Sequence, residues 1–508
     1  MRFHVHAASC QLSSRPLLAG LFSLALLVLI SHLGGPNPRR LAFNRHDQAH
    51  QVMGSPDLYI SSSLNVEPDP EVVVQLLETL VTVPDDEVGE IAICASLRNE
   101  GRFIVEWLLY YRVLGVDRFY LYDSGSDDDT LEKLQPWLRA GTVKLHRFRH
   151  GQPLLLSEPK DRSGPVREED TLTSRPLCKN RADQQGHYQT TALETCSRTY
   201  GPKTEWLVEA DCDEFYVVTE AMTALTRTRG SGGDLTDMTQ RPLAALLAGN
   251  WLFKSADAVV VSRLTWKNAG IDELPPDASV LASQTLREYQ HSITFEKNLF
   301  TKVCSASILH TRRKETGWVI PGAHYLRNLH TPVSKAKVIT ANGQSVEVEP
   351  FPPNAKEDEA AGTQYSGKYP GNRVFEPIVL YHYVQRDLQD CYRKLEVAQK
   401  LRKGGWRDKA GSEGCTSYVV YEAEGSSKGI HDQNGFFGAA LRDVSMAESW
   451  FGRYLPLLIV AAKEVEAFGG GGDDDEATQI EPQVVDPHPD LVAQWTAKGL
   501  DPKNGMPM

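Results

Sequence analysis

The chain has 508 residues, 54 Lys and Arg against 66 Asp and Glu, a net charge of −12 and 41% hydrophobic residues. That length holds one large domain or two ordinary ones with material for a full core. The acid excess excludes a general nucleic-acid binder, which needs a basic face to neutralise phosphates, so no nucleic-acid partner is expected.

Residues 1–16 form a short tail ahead of Leu17 to Leu33, an apolar run broken only by Gly20, Ser23, Ser31 and His32 and closed by Gly34-Gly35-Pro36. At 1.5 Å per helical residue this run spans about 25 Å, enough for a thin membrane. An uncleaved signal anchor is favoured over a cleaved signal peptide because no A-x-A-like site follows the apolar core, although "SHLGG" offers a cut. Arg39, Arg40 and Arg45 outnumber Arg2 and Arg15, so orientation rests on the large domain that follows rather than on flanking charge. Residues 34–85 lack sustained periodicity apart from a patch at Val72 to Leu80 and read as a stem.

The main domain is expected over 86–400. Ile91 to Ala95 is a compact apolar strand, and Glu100 to Leu114 places Phe103, Ile104, Trp107, Leu108 and Tyr111 on one helical face. Phe119 to Tyr122 makes a second strand. Asp129 or Thr130 caps a helix through Leu138, Gly141 stops it, and Thr142 to Phe148 makes a third strand. Such alternation predicts parallel strands with crossover helices and ligands at the strands' carboxyl ends. Residues 149–170 read as a surface insertion before a helix near Asp183 to Tyr200.

Trp206 to Phe215 then carries an apolar run into Asp211 and Asp213. In an extended chain the i, i+2 spacing aims both carboxylates one way, and two hard oxygens at a strand end suit Mg²⁺ or Mn²⁺. The spacing recurs at Asp127/Asp129 and Asp473/Asp475, where a solvated acidic turn explains it; the buried flanks distinguish Asp211/Asp213.

Further strands are expected from Ala244 onward, Ala258 to Val261 among them, a helix after Arg386 to about Leu401, a helical extension over 401–468 and an unstructured acidic tail over 469–508. The eight cysteines show no C-x-x-C pair. In an oxidising compartment Cys178/Cys196 or Cys391/Cys415 could bridge, whereas Cys94 and Cys212 read as core thiols.

Five stretches resemble glycosyltransferase family 92: "ICASLRNEGRFIVEWLLYYRVLGVDRFYLYDSGSDD" (93–128), "WLVEADCDEFYVV" (206–218), "NLFTKVCSASILH" (298–310), "GAHYL" (322–326) and "LYHYVQRDLQDCYRKL" (380–395). The resemblance implies an α/β fold, a GT-A type Rossmann-like mixed sheet flanked by helices, behind an N-terminal membrane anchor. It implies a Golgi membrane enzyme, single-pass type II with its catalytic domain lumenal, moving a sugar from a UDP-sugar to a glycan or polysaccharide acceptor with Mn²⁺ or Mg²⁺. Asp211 and Asp213 match the family's acidic pair, one binding metal and the other ribose or metal-bound water. Asp123 matches an acid that hydrogen-bonds uridine, Ser96, Leu97 and Asn99 border the base, and His324 and His382 are candidates for the metal shell. Galactose as donor sugar and inversion of configuration are the family-weighted expectations. Chemistry alone leaves Asp123 equally a turn cap and each histidine a half-buried residue with satisfied bonds. An inverting base would come from Glu288, Glu315, Asp272 or Glu273, with Glu315 the choice and no spacing to decide it. Lys302, Arg312 and Arg313 are candidate diphosphate partners. A catalytically silent relative acting as a membrane-anchored glycan-binding scaffold is the alternative.

Overall fold

The computed structural model describes residues 70–82, 91–149, 188–219, 241–268, 271–275, 278–288, 305–310, 318–320, 326–328, 333–351, 362–365, 374–401, 419–421, 439–443, 445–469 and 479–499. The chain divides into two compact units, Met1–Val72 and Val73–Met508. The elements that position the site belong to the second.

In chain order they are α1 (Pro70–Val81), β1 (Ile91–Leu97), α2 (Ile104–Leu114), β2 (Arg118–Asp123), α3 (Thr130–Arg139), β3 (Val143–Phe148), α4 (Tyr188–Tyr200), β4 (Trp206–Glu209) and β5 (Glu214–Val218). Then follow α5 (Pro242–Gly249), α6 (Trp251–Ser255), β6 (Ala258–Lys267), α7 (Val280–Ser283), β7 (Leu286–Glu288), β8 (Ser305–His310), β9 (Trp318–Val319), β10 (Leu326–Asn328), β11 (Val338–Thr340), β12 (Glu349–Phe351) and β13 (Gly362–Tyr365). The described chain closes with β14 (Ile378–His382), α8 (Leu388–Leu401), β15 (Val419–Tyr421), β16 (Ala439–Arg442), α9 (Ser445–Glu448), α10 (Trp450–Gly469), β17 (Gln483–Val485) and α11 (Pro489–Ala497).

Thirteen of these strands join one mixed sheet, ordered β15-β16-β7-β6-β8-β4-β1-β2-β3-β17, with β11 and β14 on β6 and β5 on β14. β4, β1, β2, β3 and β17 run parallel, as the alternation of the first βα units predicts. β8 lies antiparallel between β4 and β6. The carboxyl ends of β1, β2 and β4 therefore share one rim. β12, β13, β10 and β9 make a separate four-stranded antiparallel sheet.

α2 departs from the one-faced helix expected: of its eleven residues only Arg112 escapes burial. Its second face is covered by α10, far down the chain, which packs along it, and Tyr110 meets Phe451 at 4.5 Å between ring centroids. Gly115 ends α2 at φ 99°, where a Cβ would lie 2.7 Å from that of Arg241, so both backbone and space call for glycine.

Three expectations change. The segment read as stem contains α1, whose Leu77 and Leu80 are buried and whose last turns accept hydrogen bonds from Arg112 Nε at Leu80 O (2.5 Å) and Thr142 Oγ1 at Val81 O (2.5 Å). The tail is not unstructured over 479–499: β17 extends the sheet beside β3, and Leu491 and Trp495 of α11 are buried. Glycines and acids around it mask a strand only three residues long. Cys94 is not a core thiol but bonds Cys196 across 102 residues, because α4 packs on β1. Cys391 is also disulfide-bonded, and Cys212 is a buried free thiol, as expected.

Among the described residues no helix is long and apolar enough to cross a membrane. The expected anchor at 17–33 lies outside the described residues.

Candidate active site

The turn between β4 and β5 holds Asp211 and Asp213, and its backbone is fixed before its side chains meet any ligand. Glu214 N donates to Asp211 O at 3.0 Å and Tyr383 N to Asp213 O at 2.8 Å. Trp107 and Tyr111, one helical turn apart on α2, reach the same loop: Trp107 Nε1 donates to Asp211 O at 3.0 Å and to Glu214 O at 3.2 Å, and Tyr111 Oη to Glu214 O at 3.0 Å. Tyr110 Oη donates to Tyr216 O at 2.7 Å. An apolar helix buried on all sides thus supplies aromatic donors for carbonyls that a sharp turn leaves outside the sheet ladder. The acids sit in a turn and not on extended strand, so period-two alternation is not what orients them.

Side-chain partners separate the two. Asp211 Oδ1 accepts from Gln189 Nε2 at 2.8 Å. Asp213 Oδ2 accepts from Lys394 Nζ at 2.8 Å, and its Oδ1 lies 3.4 Å from His382 Nε2. Burial resists ionisation of Asp213, but the Lys394 ammonium and His382 outweigh it and hold the carboxyl well below the usual range. β14 pairs His382 opposite Glu214. Burial lowers the His382 pKa, with Asp213 opposing, so the imidazole is neutral at pH 7. Burial, then the charge of Asp211, raises Glu214 to about 8. Glu214 Oε2 accepts from Asp211 N at 3.1 Å, whereas Glu214 Oε1 and His382 Nδ1 are buried without a hydrogen-bond partner. Unsatisfied buried polar atoms are costly, and here they flank the acidic turn.

α8 ties this turn to the loop after β1. Arg386, 1% exposed, donates Nη1 to Glu100 Oε2 at 2.6 Å, and Nε and Nη2 to Asp390 at 3.0 Å each. Its guanidinium lies 3.9 Å from the Phe103 ring centroid. Arg393 donates to Asn99 O at 2.7 Å and Asp390 Oδ1 at 2.8 Å, while Arg102 donates to Asp387 Oδ2 at 2.7 Å. Burial resists the charge on Asp390, and Arg386 overcomes it to pull the carboxyl far down.

At the neighbouring strand ends Asn99, at φ 57°, clasps the loop after β2. Its N donates to Ser126 Oγ at 2.9 Å, its Oδ1 accepts from Asp127 N at 2.9 Å and its Nδ2 donates to Asp127 Oδ1 at 2.5 Å. Asp123 is fully buried. Its Oδ1 accepts from Ser126 N at 2.9 Å and Ser126 Oγ at 2.7 Å, and its Oδ2 from Arg147 through Nε at 3.0 Å and through Nη2. Asp123 therefore caps the turn before Gly125, the plainer of its two sequence readings. Ser96 and Leu97 lie within β1, the Leu97 side chain in the core.

The structure thus gathers Asp211, Asp213 and His382 at one turn, with Asn99 and Asp123 at the adjoining strand ends. His324 and Glu315 lie outside the described residues, as do Lys302, Arg312, Arg313 and the side chain of Glu288; Asp272 and Glu273 are exposed. Sequence reasoning missed Gln189, Arg147, Glu100, Arg386, Asp390 and Lys394. The last three carried a signal: Arg, Asp and Lys at successive i, i+4 positions share one helix face.

Asp213 and His382 offer an oxygen and an imidazole nitrogen, a donor set suited to Mn²⁺ or Mg²⁺. Among the described residues no three His, Cys, Asp or Glu are grouped to hold a metal. The fit is that of a partial shell, which further oxygen ligands would have to complete.

Residues 90–229 match the family model described as glycosyltransferase family 92, so the resemblance read from the motifs stands over the segment that builds this rim. Curated relatives include a glycosyltransferase family 92 protein of Ricinus communis, 50% identical over 64 residues. Others are from Oryza sativa subsp. japonica, 45% over 42 residues, and Arabidopsis thaliana, 39% over 46. The matches cover 13%, 8% and 9% of this chain and 11%, 7% and 8% of those proteins, so the chain spans about a tenth of the length of the relatives it matches. Among solved structures, S. aureus TarS 1–349 in complex with UDP matches at a TM-score of 0.22 and 12% identity, over 44% of this chain and 47% of that one.

Proposed function

We propose that the chain is a metal-dependent glycosyltransferase of GT-A type that moves a sugar, galactose favoured, from a UDP-sugar to a glycan or polysaccharide acceptor with inversion. The observation that carries this reading is the coincidence of the family 92 match over 90–229 with the three parallel strand ends that meet at the acidic turn.

Asp213 and His382 would hold the divalent cation, with His324 a further candidate. When bound, the cation supplies positive charge against the negative charge that grows on the departing nucleoside diphosphate. Asp211, steadied by Gln189, faces the ribose or a metal-bound water. Glu214, whose proton is held up to about 8, keeps the turn's charge down while fixing Asp211 N. Asn99 and the Asp123–Arg147 pair hold in place the loops that would border the base. Glu315 takes the acceptor proton, and Glu315→Gln should abolish transfer while donor binding persists.

The bond between Cys94 and Cys196 supports an oxidising compartment, consistent with a lumenal domain of a Golgi enzyme anchored through residues 17–33. One observation favours the second reading, a silent scaffold: Lys394 sits where Asp213 would receive a cation.

The deciding experiment is release of nucleotide from a panel of UDP- and GDP-sugars by the full chain, with Mn²⁺ or EDTA. Metal-dependent turnover of one UDP-sugar supports the transferase and names its donor. No turnover and no UDP binding with metal leaves the scaffold.

A further inference from the structure

We infer that Lys394 is a tethered cation that occupies the acidic turn in place of the metal and passes to the donor's diphosphate when the nucleotide binds, an inference that rests on the proposed nucleotide-sugar reading. Lys394 Nζ lies 2.8 Å from Asp213 Oδ2, 3.1 Å from Asp390 Oδ2 and 3.1 Å from Val384 O. Asp390 has no need of it, since Arg386 gives that carboxylate two hydrogen bonds and Arg393 a third. Asp213 has no other lysine or arginine in hydrogen-bond contact among the described residues.

The two cations that flank Asp390 also differ in freedom. The Arg386 side chain is 1% exposed and that of Lys394 25%. The guanidinium is locked by a planar fork and an aromatic ring, while the ammonium ends a flexible stem open to the rim. A divalent cation must displace Lys394 from Asp213, because both seek the same carboxylate oxygen. A diphosphate without metal would recruit it, because it ends a flexible stem and already contacts Asp213, whereas Arg263, 3.7 Å from Glu214 Oε1, faces the neighbouring carboxylate.

Removal of the ammonium therefore acts oppositely on two ligands. In the full chain, Lys394→Met should bind Mn²⁺ alone more tightly, on the order of tenfold, read from the electron paramagnetic resonance signal of free Mn²⁺. The same variant should bind UDP in EDTA more weakly, again on the order of tenfold, by titration calorimetry. Lys394→Arg, which keeps the charge, should stay within about threefold of wild type in both. A merely structural lysine moves both affinities the same way, and that result, or no change in either, overturns the inference. Should Lys394→Met fail to fold, wild type carries the test alone: it must bind UDP in EDTA at least about tenfold more tightly than uridine, and equal binding overturns the inference. Wild type that binds no UDP even with Mn²⁺ removes the nucleotide-sugar reading and this inference with it. UDP binding with Mn²⁺ but no divergence between the variants removes the inference alone.

Discussion

The loops after β1 and β2 and the turn after β4 leave the same sheet rim, yet they treat their polar groups in opposite ways. In the first pair Asn99, Asp123, Ser126 and Asp127 use their side chains on one another, and Arg147 fills the rest of Asp123. At the acidic turn the backbone is as firmly held, but Glu214 Oε1 and His382 Nδ1 are buried without hydrogen-bond partners, Arg263 approaches Glu214 Oε1 only to 3.7 Å, and Asp213 Oδ2 accepts from the partly exposed ammonium of Lys394. A closed network rigidifies, whereas a half-closed one stores capacity for a ligand. On the proposed reading the first region is scaffold, and the second is where a charged substrate would gain most.

The largest effect that would break this contrast is at Asp213. Asp213→Ala should lower UDP-sugar turnover by about a thousandfold with little loss of folding, checked by steady-state nucleotide release beside circular dichroism. Arg386→Met comes next, because it strands Glu100 and Asp390: about 3 kcal/mol of stability is expected to go, read by chemical denaturation. Asn99→Ala should cost about 2 kcal/mol, combining the left-handed backbone with the lost clasp. Asn99→Gly, which keeps the backbone free, should cost about 1 kcal/mol. An equal cost for the two would remove the backbone part of the argument.

The smallest and most diagnostic effects are in pH. Glu214 is raised to about 8 from 4.5, so its contribution is fully present below pH 4.5 and is lost as pH rises through 8. His146, on β3 beside Tyr200, is lowered by burial to about 4 from 6.5. Its contribution is full above pH 6.5 and fades as pH falls towards 4. Thermal melts across pH should slope both ways, with Glu214→Gln flattening the alkaline limb and His146→Gln the acid one.

The first three βα units were legible because strand and helix periods alternate there without interruption. Asp211 and Asp213 were legible as acids at a strand end, although the turn that carries them was not. Contacts between distant segments stayed hidden. α10 closes the second face of α2, the fold and not cysteine spacing joins Cys94 to Cys196, and β17 is too short to outweigh its glycine-rich and acidic surroundings. Lys394 was visible only as one charge in a helical row, and its meaning depends on β4 and α8 converging.

One comparison bears directly on the central claim that the turn after β4 does the chemistry and the adjoining loops hold it in place. UDP-galactose hydrolysis with Mn²⁺, expressed per folded molecule, should be measured for wild type, Asp213→Asn and Asn99→Gly in the full chain. The account predicts that Asp213→Asn folds and loses turnover by at least about a hundredfold, while Asn99→Gly melts lower and turns over within about threefold of wild type. Turnover that survives in Asp213→Asn would contradict it.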